Sequence, residues 1–173
     1  ITPTRELAIQ IAESFSTYGR HTGIKNAVIF GGVSQGAQTD ALRSGVDILV
    51  ATPGRLLDLV LTGNLRLKAI QKLVIDEVDE MLNLGFKTQL TNLLDLLPQK
   101  RQNLMFSATM TEDVDQLIND FFNQPEKIIV TPSGTPLELI NQNAYLVPNF
   151  YTKINLLNHL LENPELEKVL IFV

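Results

Sequence analysis

The chain contains no cysteine, and this absence excludes disulfide bonds and thiolate metal sites. It has only two histidines, His21 and His159, which lie too far apart in sequence to indicate a ligand pair, so surface positions are expected for both. No apolar run approaches the roughly 20 residues that span a bilayer, and no charged-then-apolar leader precedes residue 10. We therefore expect a soluble, cytoplasmic protein that does not bind membranes.

The composition is that of a globular protein rather than a disordered one. Of the 173 residues, 45% are hydrophobic and 19% are charged, which allows one substantial core. The formal net charge of −5 argues against binding nucleic acid through bulk electrostatics, because phosphate binding usually leaves a basic surface. A local basic face is still compatible with this total.

Short β-rich segments alternate with longer helical patterns along most of the chain. Strands are predicted at 26–30, 47–51, 72–76 and 103–107. Helices are predicted near 5–18, 35–44, 54–62, 87–97 and 112–123. Alternation of this kind predicts an α/β fold with a doubly wound parallel sheet.

The composition changes near the end of the chain, where prolines, glycine and small polar residues follow a strand-like segment at 127–130. We predict a first domain over 1–131, a linker over 132–139 and the start of a second domain over 140–173. A helical pattern at 152–163 and an apolar, strand-like segment at 168–173 support the second α/β unit.

Candidate functional residues follow the predicted strands. Ligands of open parallel sheets bind beyond the carboxyl ends of the strands. If an opening strand runs into Ile1, five strand ends are followed in turn by Thr4 and Arg5, Gly31 and Gly32, Thr52, Gly54 and Arg55, Asp76, Glu77 and Asp79, and Ser107 and Thr109.

Each of these groups also has a purely structural interpretation. The alternatives are an N-cap at Thr52-Pro53, a capping box of Thr109 with Glu112, a turn at Gly31-Gly32, first-turn acids at Asp79-Glu80 and a solvated Arg5. All of them would have to hold together, in order, at one sheet edge. That combination is much less probable than any one alternative alone.

The acidic cluster after the third strand has its own chemistry. An Asp at the carboxyl end of a buried strand, here Asp76, is where nucleotide-hydrolysing folds hold Mg²⁺, directly or through water. The adjacent Glu77 could orient and deprotonate the attacking water. The Asp79 carboxylate could accept hydrogen bonds from Ser107 or Thr109 on the neighbouring strand end.

The ordered motifs PTRELA (3–8), GG (31–32), TPGR (52–55), DEVD (76–79) and SAT (107–109) resemble the DEAD-box family of ATP-dependent RNA helicases. The resemblance covers nearly the whole chain and implies RecA-like domains, with ATP and Mg²⁺ as cofactors and RNA as partner. It also implies that DEVD and SAT are catalytic and coupling elements. The residues that it assigns to the RNA sugar-phosphate backbone are Thr4, Arg5, Gly31, Gly32, Thr52, Gly54 and Arg55.

The sequence departs from the family pattern in two ways, and the second limits what this stretch can do alone. Val78 stands where the family tetrad has Ala, a change that leaves the carboxylates intact. More important, no G-x-x-x-x-G-K-[ST] phosphate loop and no second-domain arginine motif occur in the 173 residues. We therefore expect negligible ATP hydrolysis by this stretch alone and RNA-stimulated hydrolysis by a parent protein with both flanks.

Two other functions fit the same sequence. The wider helicase superfamily shares this architecture, so a DNA-directed helicase is one alternative. The other is a non-catalytic module that binds RNA or a protein through the sheet edge. The sequence indicates neither particular protein partners nor an oligomeric state.

Overall fold

The computed structural model describes residues 1–130 and 141–172. The chain divides into two compact units, Ile1–Glu126 and Lys127–Val173. The predicted linker at 132–139 lies outside the described residues, so the proposed domain limits stay predictions.

All the strands and all the helices predicted in the first unit are present, with ends that differ from the prediction by at most two residues. The strands are β1 (Asn26–Ile29), β2 (Ile48–Ala51), β3 (Lys72–Ile75) and β4 (Gln102–Met105). The helices are α1 (Arg5–Tyr18), α2 (Gln35–Arg43), α3 (Pro53–Leu61), α4 (Val78–Asn83), α5 (Lys87–Leu96) and α6 (Glu112–Phe121). The second unit contains α7 (Phe150–Leu161).

The strands form two parallel pairs. In the first, Asn26 of β1 lies opposite Ile48 of β2, and in the second, Lys72 of β3 lies opposite Gln102 of β4. Helices connect the strands within each pair, as parallel pairing requires. The predicted parallel α/β fold is thus confirmed.

The first two residues of the chain join the two pairs. The Thr2 amide donates to the Ala51 carbonyl at the end of β2 (3.0 Å), and the Asp76 amide after β3 donates to the Ile1 carbonyl (2.9 Å). The Ile1 amino group also donates to the carbonyl of Val74 in β3, at 2.7 Å. Residues 1–2 therefore lie between the ends of β2 and β3, and the strand ends meet at one edge.

Apolar faces of the helices cover the strands and hold this edge in place. In α3, Leu56 and Leu59 are buried, and α5 packs on α3 with Leu90 and Leu93 fully buried. Spacings of three and four residues put such side chains on one helix face. Burying each of them stabilises the fold by about 1.5–3 kcal/mol relative to exposure.

Helix α4 is the one element of the first unit that sequence patterns did not predict as a helix. It begins directly after Glu77 and is short, but it buries Val78 and Met81 completely. Its first turn carries Asp79 and Glu80, where negative charge is favourable to the helix dipole.

The strand predictions for the second unit are wrong for the described residues. Ile128, Ile129 and Val130 are between 82% and 84% exposed, and neither they nor residues 168–172 form a strand. A strand needs a neighbour to pair its backbone groups, and these segments pair with no strand in the described part of the chain. Helix α7 forms as predicted, capped by the Asn149 side chain, which accepts from the Thr152 amide (2.9 Å).

Candidate functional site

The ends of all four strands carry candidate residues, and the structure connects them in two groups. The first group follows β3 and β4 and contains the DEVD and SAT residues. The second follows β1 and β2 and contains Gly31-Gly32 and the TPGR residues. Hydrogen bonds of residues 1–2 to Ala51 and Asp76 join the groups, and Thr4 and Arg5 follow immediately.

Asp76 and Glu77 form the acidic tip of β3. Asp76 is partly exposed, and its Oδ1 accepts a hydrogen bond from the Glu77 amide at 3.1 Å. Glu77 is exposed and lies in the left-handed region, with φ 51° and ψ 52°. That conformation costs an L-residue about 1–2 kcal/mol. The chain therefore tolerates backbone strain at Glu77, which is more exposed than Asp76 and Asp79.

Asp79 points away from solvent towards the end of β4. It is 8% exposed, and its Oδ2 accepts hydrogen bonds from the Thr109 amide at 2.8 Å and from the Thr109 hydroxyl at 2.7 Å. The predicted contact between Asp79 and Thr109 is therefore confirmed. The Ser107 hydroxyl donates to the Thr109 carbonyl at 2.6 Å, which tightens the same turn.

The environment of Asp79 favours its charged form. Burial raises the pKa of the Asp79 carboxyl, but hydrogen bonds from the Thr109 hydroxyl and amide and from the Glu80 amide together hold that pKa below its ordinary value. The Asp79 carboxylate is thus ionised, and it connects the segments that follow β3 and β4.

The capping-box interpretation of Thr109 is wrong. Helix α6 begins at Glu112, and its N-cap is Thr111, whose side chain accepts from the Val114 amide at 3.4 Å. The Thr109 hydroxyl is used by Asp79 instead. Thr111 therefore caps helix α6, and Thr109 links the turn after β4 to Asp79.

The TPGR segment occupies the start of helix α3, but its threonine does not cap the helix through its side chain. Thr52 is the N-cap and Pro53 is in the first turn, but the buried Thr52 hydroxyl makes no capping hydrogen bond. A Cβ on Gly54 would meet no atom within 4 Å, so packing does not require glycine there.

Gly31 and Gly32 form an exposed loop after β1. Gly32 has φ +82°, which favours glycine on conformational grounds alone. Gly31 lies outside that region of φ, and a Cβ there would also meet nothing within 4 Å. The space over Gly31, like that over Gly54, is therefore open to the approach of a ligand.

Thr4 and Arg5 open helix α1. The Thr4 hydroxyl accepts from the Leu7 amide at 3.2 Å, so it caps the helix. The half-exposed Arg5 guanidinium binds the neighbouring Glu6 carboxylate at 3.1 Å. An exposed pair of this kind contributes little to stability and leaves Arg5 able to change partner.

Two contacts around the glycine loop were not predicted from the sequence. The Arg55 guanidinium donates through Nη2 to the Val33 carbonyl at 3.0 Å. The Gln38 carboxamide binds both backbone groups of Phe30: its Oε1 accepts from the Phe30 amide at 3.3 Å, and its Nε2 donates to the Phe30 carbonyl at 3.1 Å. No spacing rule signals Gln38, because the contact depends on how α2 packs on β1.

The described residues contain no cluster of three or more His, Asp or Glu side chains that could hold a metal unaided. Magnesium does not need one, since it commonly binds one or two carboxylates and takes its other ligands from water and phosphate. The Asp76 carboxylate fits that chemistry, because it is partly exposed and only Oδ1 accepts a hydrogen bond within the described chain.

The geometry of the motifs agrees with comparisons to known proteins. A family model for DEAD/DEAH box helicases matches residues 1–117. The chain is 40% identical over 172 residues to the ATP-dependent RNA helicase RhlB of Shewanella woodyi, a match that covers 98% of this chain and 39% of that protein. It is 38% identical over 173 residues to the RNA helicase CrhR of Synechocystis, covering 100% of this chain and 35% of that protein.

A solved structure shows the same fold. The crystal structure of a DEAD box protein from the hyperthermophile Methanococcus jannaschii matches with a TM-score of 0.69 and 38% sequence identity, covering 72% of this chain and 34% of that one. The chain spans less than two fifths of the length of RhlB and CrhR. With its motifs at the strand ends that the fold predicts, this chain belongs to the DEAD/DEAH box helicase family.

Proposed function

We propose that the protein that carries this chain is an ATP-dependent RNA helicase, which hydrolyses ATP when RNA is bound and locally separates RNA duplexes. The observation that carries the proposal is the pair of hydrogen bonds from Thr109 to the buried Asp79 carboxylate, at 2.7 and 2.8 Å. These bonds join the acidic tip of β3, where ATP chemistry is proposed, to the turn after β4.

Asp76 and Glu77 are the proposed hydrolytic residues. Asp76 would hold Mg²⁺, directly or through water, and the bound ion would neutralise charge on the phosphates. Glu77 would orient the attacking water and take its proton, since its carboxylate is exposed beside Asp76. The left-handed backbone at Glu77 fixes the direction in which that carboxylate leaves the strand.

Asp79, Ser107 and Thr109 are the proposed coupling residues. Their hydrogen bonds connect the segments that follow β3 and β4, so these segments would move together. A shift of the DEVD backbone during hydrolysis would therefore move the turn at 107–109. This is how the chain would transmit hydrolysis to strand separation.

The edge formed by PTRELA, GG and TPGR, at which Arg5, Gly31 and Gly32 are exposed, is the proposed RNA surface. Open space over Gly31 and Gly54 allows a phosphate to reach backbone amides, and the Arg5 guanidinium can offer a forked contact. Thr4, Gly32 and Thr52 complete the proposed contacts, and Arg55 belongs to the same surface. Contacts to sugar and phosphate carry no base code, so binding would be independent of RNA sequence.

ATP hydrolysis would require a phosphate-binding loop, and the 173 residues contain no G-x-x-x-x-G-K-[ST] motif. We therefore propose that activity belongs to the longer protein and that this chain alone turns over ATP negligibly.

None of the described helices is long and apolar enough to cross a bilayer. A cytoplasmic location stays a prediction from the sequence.

The test is ATP hydrolysis by the longer protein, with and without single-stranded RNA, before and after Glu77→Gln. Removing a general base typically costs about 10²–10⁴ in rate. Glu77 is exposed, so the variant should fold normally and bind RNA as before. RNA-independent hydrolysis, or full activity of Glu77→Gln, would contradict the proposal.

Competition between single-stranded RNA and DNA of the same sequence separates RNA from DNA as substrate. Preference for DNA would favour the related DNA-directed function. RNA binding without any ATP turnover by the longer protein would favour the non-catalytic module instead.

A further inference from the structure

We infer that Gln38 and Arg55 form a two-sided clamp that holds the loop Phe30–Val33 in its binding conformation, and that Arg55 acts through this loop rather than as a phosphate ligand. The inference rests on the proposed RNA surface. It adds Gln38 to the residues of that surface and changes the role that the family resemblance implies for Arg55.

The first side of the clamp is the Gln38 carboxamide. It satisfies the amide and the carbonyl of Phe30 at once, as a neighbouring strand would. Phe30 is the residue that directly follows β1 and precedes the glycine pair. Gln38 therefore fixes the direction in which the loop leaves the sheet.

The second side is Arg55 on helix α3. Its Nη2 donates to the Val33 carbonyl at 3.0 Å, on the other flank of the glycine pair. Its Nη1 is shut off from solvent and has no hydrogen-bond partner among the described residues. With Nη1 buried and Nη2 already bonded to Val33, the guanidinium is poorly placed to meet an RNA phosphate.

The loop needs such support. Glycine loses more conformational freedom on ordering than any other residue, so two adjacent glycines would otherwise sample many conformations. Gly32 must hold φ +82° while Gly31 stays open to solvent. Ordering the loop in advance saves that entropic cost when RNA binds.

The experiment uses Gln38→Met and Arg55→Met in the 173-residue chain. Matched controls are Gln116→Met on the exposed face of α6 and Arg43→Met, whose side chain is 71% exposed and paired with Asp40. Amide hydrogen exchange of residues 30–33 reports the loop without RNA, and exchange of the core amide of Leu90 reports folding. Affinity for a single-stranded oligouridylate is then measured across a salt series.

Both clamp variants should speed exchange at 30–33, leave Leu90 protected and weaken RNA binding by about tenfold, the equivalent of ordering roughly one loop residue. The salt slope of Arg55→Met should equal that of Arg43→Met, the control with the same net charge. Loss of a phosphate contact would instead lower the slope by about 0.7 relative to that control.

A lower slope for Arg55→Met with unchanged loop exchange would overturn the clamp, since Arg55 would then be a phosphate ligand. Unchanged affinity in both variants would overturn it too. If the unaltered chain binds no RNA, the RNA surface and the role of the clamp in binding both fail. If the chain binds RNA but neither variant changes amide exchange at residues 30–33, the clamp fails and the proposed function stands.

Discussion

The two halves of the candidate site are built in opposite ways. At the ends of β3 and β4, the buried Asp79 carboxylate is saturated by short hydrogen bonds from Thr109. At the ends of β1 and β2, Gly31 and Gly54 leave open space above the backbone. The link between Asp79 and Thr109 is closed on itself, whereas the backbone at Gly31 and Gly54 is open to approach.

This difference separates two tasks that share one sheet edge. A closed network passes a displacement from one strand end to the next because its atoms cannot move independently. An open backbone surface can accept a polymer of any base sequence because only its repeating phosphates are contacted. Substitutions in each half should therefore affect a property that the other half lacks.

Thr109→Val should have the largest effect on stability. It removes the hydroxyl that donates to Asp79 but keeps the volume, and a hydrogen bond to a charged group is worth about 1.5–3 kcal/mol. Urea unfolding at neutral pH measures the loss. The control is Thr91→Val, since that hydroxyl bonds the Lys87 carbonyl within α5 and should change stability by about 0.5 kcal/mol or less.

The same variant should alter the acid dependence of stability. The pKa of Asp79 is lower in the folded state than its ordinary value, so its stabilising contribution is present above the unfolded pKa and is lost as pH falls through the folded pKa. In Thr109→Val the folded pKa rises, so less stability is left to lose on acidification. An unfolding curve with the acid dependence of the original chain would contradict this account of Asp79.

In the open half, the two glycines of the loop after β1 should respond differently to substitution. Gly32→Ala places a side chain at φ +82° and should cost about 1–2 kcal/mol. Gly31→Ala meets no atom and should leave stability unchanged or raise it by up to about 1 kcal/mol, while its methyl group weakens RNA binding. Equal stability losses for the two variants would mean that packing requires both glycines.

Thr2 lies where the two halves meet, and its substitution should change stability less than Thr109→Val does. The residue is 1% exposed, and its Oγ1 has no hydrogen-bond partner among the described residues. Thr2→Val should therefore stabilise the chain by about 1 kcal/mol. Thr39→Val is the matched control with the opposite sign, because that hydroxyl, also buried, donates to the Gln35 carbonyl at 3.0 Å.

Sequence patterns predicted the elements of the first unit well because local chemistry marks their ends. Helix α1 was predicted without error, since Thr4 caps a regular amphipathic pattern. Helix α4 was not among the predicted helices, because one short helix leaves few positions for a period to show, although Asp79 and Glu80 were noted as possible first-turn acids. Residues 127–130 and 168–172 were predicted as strands and form none for a tertiary reason, since apolar β-branched residues favour a strand only where a neighbour pairs with it.

The candidate site was predictable in position but not in detail. Strand ends identified the residues, because parallel strands deliver their carboxyl ends to one edge. The contacts of Gln38 with Phe30 and of Arg55 with Val33 depend on how helices pack on the sheet, and no local pattern encodes them. The functional roles of the site residues rest on the proposals above.

The hydrogen bonds of residues 1–2 also bear on how the chain folds. The Ile1 amino group and the Val74 carbonyl are separated by 73 positions, whereas each parallel strand pair is closed by a much shorter crossover. Loop closure of long segments is slow relative to local pairing. We expect the two strand pairs to form first and the junction last, so that each half of the site is assembled separately before the sheet edge exists as a whole.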